Sequence, residues 1–211
     1  MSVRIIQDRL NGYGCRSTLE EEQALREITQ EIILAGLSRT DFFRHGAFQG
    51  GTCLRVFHGL NRFSEDLDFA LEVDTNPPGG ARFETKYLDF PFPSAIRVFD
   101  LPSLFAGKVH ALLCREYVKG RDWYDFIWYT GRRTRLNYEL LGSSLEQMGP
   151  WRGQGLQVDR PWCVERLRAK IEATDWLRTR EDVRRFVKAS ELASLGLWGR
   201  EFFLGQVDKL V

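Results

Sequence analysis

The chain is poor in the residues that build disulfide or zinc scaffolds, with four cysteines and three histidines among 211 residues. Cys15, Cys53, Cys114 and Cys163 are scattered with no C-x-x-C pair, and His45, His58 and His110 have no ligand spacing. That pattern reads as small buried thiols and argues against a disulfide framework or a zinc site. Long apolar runs are missing too. None approaches the roughly 20 residues that cross a bilayer, and the first nine residues lack the apolar core of a signal peptide. The expected location is the cytoplasm, with no membrane partner. Net charge is scarce as well, at +1.

What is present is an ordinary globular composition, 43% hydrophobic and 28% charged. The length suits one large domain or two small ones packed together. Charge is unevenly spread. Residues 61–90 hold seven acids against three bases, whereas residues 105–135 hold seven bases against three acids. Residues 160–188 hold nine bases against five acids. An acidic centre beside basic segments suits a metal site facing a polyphosphate or nucleic acid, and a solvated helix face would look similar.

The periodicity predicts a helix over residues 18–37, with Thr18 and Glu21 as a capping box and Leu25, Ile28 and Ile32 on its apolar face. Ser38 or Thr40 could cap a short following helix. Residues 47–49 form a brief extended piece entering Gly50-Gly51-Thr52, and residues 53–57 a helical turn closed by Gly59 and Asn61. Leu67, Phe69 and Leu71 alternate with Asp66, Asp68 and Ala70, the period of a strand. Residues 74–80 are the strongest loop signal, and residues 83–99 read as a further strand or hairpin interrupted by Pro91 and Pro93. Asp100 can cap a helix running to about Val118 and stopped by Gly120. A second helix covers residues 121–129, and a glycine-rich loop residues 142–159. Helices follow over residues 161–177, 181–189 and 198–210. The expected fold is α+β, with a small mixed sheet in the N-terminal half and a helical bundle in the C-terminal half. The expected division is 1–100 and 101–211, the second part completing the active site.

The chemistry concentrates in Gly50-Gly51-Thr52 and in Arg62-Phe63-Ser64-Glu65-Asp66-Leu67-Asp68-Phe69. On a strand, Asp66 and Asp68 project to one face. Two carboxylates that close repel unless a cation lies between them. Mg²⁺ binds through one or two carboxylates and fills its shell with water and substrate phosphates. Gly50 and Gly51 let backbone N–H groups approach a phosphate at a helix start, and Thr52 adds a hydroxyl. Taken singly, a Gly-Gly is usually a turn and an alternating Asp-x-Asp the wet face of an edge strand; their combination points to a site.

A second block comprises Lys108-Val109-His110-Ala111-Leu112, Arg115 and Arg121-Asp122-Trp123-Tyr124-Asp125. At 100° per residue Arg115 falls about 20° from Lys108, and Asp122 within about 40° if the helix runs straight through Gly120. Asp122 and Asp125 share a helix face. A lysine and an arginine here suit phosphate oxygens; a salt-bridged helix pair with Arg121 and Asp125 solvated would give the same periodicity.

These two blocks, with Asp175-Trp176, residues 182–186, Trp198 and Phe202, resemble the AbiEii/AbiGii toxin family of nucleotidyltransferases, within the DNA polymerase β-like superfamily. The resemblance covers nearly the whole chain from about residue 20. It implies a Mg²⁺- or Mn²⁺-dependent enzyme with a minimal nucleotidyltransferase core, moving a nucleotide from an NTP to an acceptor hydroxyl. It implies an RNA acceptor, plausibly the 3′ end of tRNA, and a cognate antitoxin. Asp66, Asp68, Lys108 and Asp122 are the implied catalytic residues. Gly50, Gly51, Thr52, Arg62, Ser64, Lys108 and Arg115 are the expected nucleotide contacts, with Arg121 and Asp125 in support. The resemblance implies a helix between the Asp-x-Asp strand and the next strand, whereas only residues 70–82 intervene here, many of them Pro and Gly. The third carboxylate therefore falls to Asp89, with Glu84 second. A nucleotide- or RNA-binding module without catalysis, and a transferase acting on a protein or small molecule, are the alternatives. Trp151, Trp162 and Trp176 read as core more readily than as base-stacking platforms.

Overall fold

Residue periodicity places most of the helices, and the sheet forms where β-branched and aromatic residues alternate. The computed structural model describes residues 3–71 and 78–211. Contacts divide the chain into two compact units, 1–75 with 83–98 and 76–82 with 99–211. The α+β expectation holds, with a small mixed sheet in the first unit and helices through the C-terminal part.

The first unit opens with α1 (Val3–Asn11) and α2 (Thr18–Leu37). Helix α2 has the expected bounds, but its cap lies one residue earlier than the sequence reading: the Ser17 hydroxyl accepts the Glu20 N–H, and the Glu20 carboxylate accepts the Arg16 N–H. Ser17 is extended, which frees its side chain to reach the first turn. The buried face of α2 is also rotated from the expected one. Ala24, Ile28, Leu34 and Ala35 are buried while Leu25 is exposed, because Glu27, Gln30 and Glu31 take inward positions. Glu27 accepts from Arg55 at 2.8 Å and from the Tyr13 hydroxyl at 2.9 Å, and Glu31 accepts from Arg9 at 2.6 Å. These partners make the burial of two carboxylates tolerable.

The short helix α3 (Phe42–His45) leads into β1 (Gly46–Gln49), and α4 (Gly50–His58) follows without a break. Thr40 accepts the Phe42 N–H just ahead of α3. Gly59, left-handed at φ 72°, closes α4. Strands β2 (Asp68–Leu71), β3 (Phe83–Leu88) and β4 (Ser94–Phe99) complete a sheet ordered β2-β1-β4-β3. Strand β1 runs antiparallel to β2, pairing Gln49 with Asp68, and parallel to β4, pairing Phe48 with Val98. Phe69 packs edge-on to Phe42 at 4.9 Å and beside Phe48 at 5.4 Å. The strand begins at Asp68, so Asp66 lies ahead of the ladder rather than within it. Of the loop expected over residues 74–80, residues 74–77 lie outside the described residues.

In the second unit Asp100 caps α5 (Leu101–Cys114), accepting the Ser103 N–H at 2.9 Å. Helix α5 stops four residues earlier than expected, and Gly120 begins α6 (Gly120–Gly131) instead of ending α5. The reason is tertiary. A β-carbon on Gly120 would lie 2.2 Å from the Thr179 carbonyl oxygen, and the Gly120 N–H donates to Asp182 at 2.7 Å. The loop expected from residue 142 is partly helix: α7 (Tyr138–Gln147) buries Leu140, Leu141 and Leu145 and is capped by Asn137. That apolar spacing outweighs the modest helix cost of Gly142. Helices α8 (Arg160–Glu172) and α9 (Trp176–Arg184) are separated where Asp175 caps α9, so the single run expected to residue 177 is divided. A 3-10 helix (Ala189–Leu197) and α10 (Arg200–Val207) end the chain. Phe105 stacks on Tyr129 at 4.4 Å, Trp176 on Phe203 at 4.2 Å, and Trp123 meets both Trp176 and Phe203 edge-on. Trp176 is thus engaged in the core, while Trp151 and Trp162 pair edge-on at 5.4 Å.

Candidate active site

In the first unit the chain turns directly from β1 into α4 at Gly50, whose φ is +79°. Only glycine takes that conformation without strain. The turn leaves the α-carbon open on one side, and Asp68 fills the opening: a β-carbon at Gly50 would lie 2.2 Å from the Asp68 Oδ2. Gly51 is approached as closely, its missing β-carbon lying 2.8 Å from the Arg62 Nη2 and 2.9 Å from the Ser64 Oγ. Thr52 is fully buried, and its hydroxyl donates to the Asp66 carbonyl. The two sequence blocks, twelve residues apart, therefore fold onto each other residue by residue.

Helix α2 braces this segment from the other side. Gln30 donates to the Ser64 carbonyl at 3.3 Å and Arg26 pairs with Glu65 at 3.1 Å. Arg55 donates to the Leu60 carbonyl and lies 4.7 Å over the Phe63 ring. Arg62 is 2% exposed and donates to the Phe63 carbonyl at 2.9 Å, so it helps build the turn from inside. Asp66 and Asp68 are both solvent-exposed. Sequence reasoning did not find Arg26 and Gln30; on a helix rich in polar residues, their i,i+4 spacing did not set them apart.

Asp89 is not brought to this pair. It follows β3, and β1 and β4 lie between β3 and β2. That is roughly 14 Å of lateral separation at the ~4.8 Å strand spacing. Glu84, the second candidate, lies on β3 itself and pairs with Lys86 at 3.2 Å. Among the described residues no group of three His, Cys, Asp or Glu side chains could hold a metal ion. Asp66 and Asp68 would offer two carboxylates, a number that suits an ion taking most of its ligands from water and phosphate.

In the second unit the lysine and aspartate block folds into a compact charged cluster. Lys108 Nζ on α5 lies 2.8 Å from Asp122 Oδ1 and 2.9 Å from Asp125 Oδ2, both on α6. Arg115, one residue beyond α5, reaches Asp122 Oδ2 at 2.7 Å. The helix breaks between Arg115 and Asp122, so the straight-helix geometry does not apply; the bend instead folds α6 back so that the three residues converge. Asp122 is 3% exposed and Asp125 fully buried. Asp125 is therefore not the solvated residue that the salt-bridged alternative requires. Arg121 carries its guanidinium 4.2 Å over the Phe186 ring.

The family model described as nucleotidyl transferase AbiEii toxin, type IV toxin–antitoxin system, matches residues 32–82 and 73–198. No curated protein matches the chain at a significant level. Among solved structures, the chain is similar to MenT4, a nucleotidyltransferase toxin from Mycobacterium tuberculosis H37Rv. The identity is 16%, the TM-score 0.51, and the match covers 100% of this chain and 91% of that one. At that identity the likeness concerns the fold, and it agrees with the small sheet and the helical C-terminal part. The family model spans most of the chain, including both the Gly50–Asp68 block and the Lys108–Asp125 block. The chain belongs to the AbiEii family of nucleotidyltransferase toxins, the toxin component of type IV toxin–antitoxin systems.

Proposed function

We propose that this nucleotidyltransferase moves a nucleotide from an NTP to a hydroxyl of RNA, with the 3′ end of tRNA as acceptor, in a reaction that needs Mg²⁺ or Mn²⁺. The observation that carries the reading is the approach of Asp68 to the bare α-carbon of Gly50 at the start of α4. It sets a carboxylate beside backbone N–H groups suited to phosphate, the pairing that a metal–triphosphate complex requires. Asp66 and Asp68 are the residues that would hold the ion, and their exposure leaves room for water and phosphate oxygens. The bound ion would neutralise the polyphosphate and favour the acceptor hydroxyl as nucleophile.

Gly50 and Gly51 present backbone donors to the phosphates. Thr52, whose hydroxyl is committed to the Asp66 carbonyl, fixes the backbone that carries Asp66. Arg62 and Ser64 hold the turn against Gly51. Lys108 and Arg115 supply positive charge for the phosphates. Asp122 has both oxygens engaged by these cations, which suits an anchor for them better than a proton acceptor. In the transfer, the acceptor oxygen bonds to the α-phosphorus, the bond to the β-phosphate oxygen breaks, pyrophosphate leaves and the hydroxyl proton passes to water. Family membership also implies an antitoxin as partner.

The test is incubation with each α-labelled NTP, Mg²⁺ and total tRNA. Label appears on RNA, and it is absent with chelator or with Asp66→Ala. Label on an added protein or small molecule instead would move the acceptor to another class; no transfer to any acceptor would overturn the reading.

A further inference from the structure

Beyond the charged cluster, the second unit holds a small pocket of about 160 Å³ where the end of α5, the start of α6 and the end of α8 meet. Its wall carries three cations, Arg115, Lys119 and Lys170, against two acids, Asp122 and Glu116. Asp122 is already shared by Lys108 and Arg115, and Glu116 is exposed at the rim. Lys170 donates to the Arg115 carbonyl at 2.7 Å, a neutral acceptor that leaves its charge uncompensated. Lys119 has no ion-pair partner among the described residues. Partial burial, with Arg121 and Arg115 close by, lowers the Lys119 pKa below its ordinary value. A half-buried ammonium among other cations is a costly arrangement that an anion relieves.

Size and shape narrow the ligand. Pockets for whole small molecules run from roughly 300 to 1,000 Å³, so this one takes a phosphate group rather than an entire nucleotide. Its inner aromatic, Trp123, is 2% exposed and occupied by Trp176 and Phe203. Its outer aromatic, Tyr117, is 64% exposed and has the Arg115 guanidinium 5.8 Å from its ring. An exposed ring beside a phosphate-sized cationic pocket matches one repeat of a single strand, with a base on the ring and a phosphodiester in the pocket.

We propose that this pocket is a phosphate subsite for a single-stranded nucleic acid, with a backbone phosphodiester between Lys119 and Lys170 and the adjoining base stacked on Tyr117. The inference rests on the reading of RNA as acceptor and adds where that strand is gripped.

The test is fluorescence polarisation with a labelled single-stranded RNA oligonucleotide across a salt series, without NTP. Lys119→Ala lowers affinity and reduces the slope of log K against log salt by about 0.7, one single-strand phosphate contact; Lys119→Arg restores both. Tyr117→Ala weakens binding about tenfold with the slope unchanged. Inorganic phosphate competes weakly, and its competition depends on Lys119 and not on Tyr117. Unchanged affinity and slope in Lys119→Ala would overturn the subsite. So would an equal loss of affinity for NTP, which would give the pocket to the nucleotide's own phosphates. Wild-type protein that transfers no label to RNA yet binds it through Lys119 would remove the acceptor reading and leave the subsite standing. RNA labelling that survives in Lys119→Ala with undiminished RNA affinity would do the reverse.

Discussion

Asp68 Oδ2 lies where a side chain on Gly50 would begin, 2.2 Å from the position of the missing β-carbon. Alanine at Gly50 therefore meets two penalties. Its left-handed backbone costs about 1–2 kcal/mol for a residue with a side chain, and the methyl group must displace the Asp68 carboxylate. Gly50→Ala is expected to lower the melting temperature and to cut transfer at least about a hundredfold, the scale of a misplacement near 1 Å. Thermal unfolding and the labelled-NTP assay read the two effects separately. Full transfer in this variant would show that Asp68 need not hold its place.

Lys108 joins Asp122 and Asp125 in a cluster where Asp125 has no exposure at all. Removing Lys108 takes the shared ammonium from two buried carboxylates, a change worth about 3–5 kcal/mol in comparable pairs. Lys108→Met is expected to destabilise the fold on that scale in urea denaturation. The pair Lys108→Met/Asp125→Leu is expected to recover part of the loss while remaining inactive. Stability is then regained without function, which separates the structural share of Lys108 from its chemical one.

Gly120 has the Thr179 carbonyl oxygen 2.2 Å from its β-carbon position and Val183 at 3.0 Å. Gly120→Ala has to push α9 away from α6 and is expected to cost about 1–3 kcal/mol, the usual range for overpacking. Asp182→Ala removes only the acceptor of the Gly120 N–H and is expected to cost about 1 kcal/mol. Denaturant midpoints of the two variants give this order; the reverse order would show that the cap, not the close approach, fixes α6.

Tyr13 donates to the buried Glu27 carboxylate, and Tyr13→Phe is expected to cost about 1 kcal/mol near neutral pH. Burial, with Glu27 and Glu31 nearby, raises the phenol's pKa above its ordinary 10.0. The folded protein keeps this proton where the unfolded chain releases it, so the unfolded state gains as pH rises above about 10. Wild type is expected to lose stability relative to Tyr13→Phe between about pH 8 and about pH 10.5. Parallel urea titrations at the two pH values measure the difference.

Local rules made the helices with clear caps and stripes legible. Helix α2 has the expected bounds, Asp100 caps α5 as its chain position implies, and the extended piece before Gly50 is β1. The same rules misplaced boundaries that distant residues decide. Gly120 reads locally as a stop and serves as a helix start because Asp182, 62 residues away, accepts its N–H. Leu25 reads as core and is exposed because Arg9 and Arg55 draw Glu31 and Glu27 inward.

The sequence by itself determined the family and singled out the residues proposed for its chemistry. A glycine pair, an Asp-x-Asp and a lysine–aspartate block are types with few other uses in combination, and their order along the chain is the mark of the family. Only the tertiary structure decided what those residues touch. That Gly50 faces Asp68, that Thr52 holds the Asp66 backbone and that Lys108 lies between Asp122 and Asp125 all depend on chain reversals. So does the separation of Asp89 from the carboxylate pair, which follows from strand order. Periodicity fixes the face of one element, whereas pairing between elements depends on how several faces are buried together.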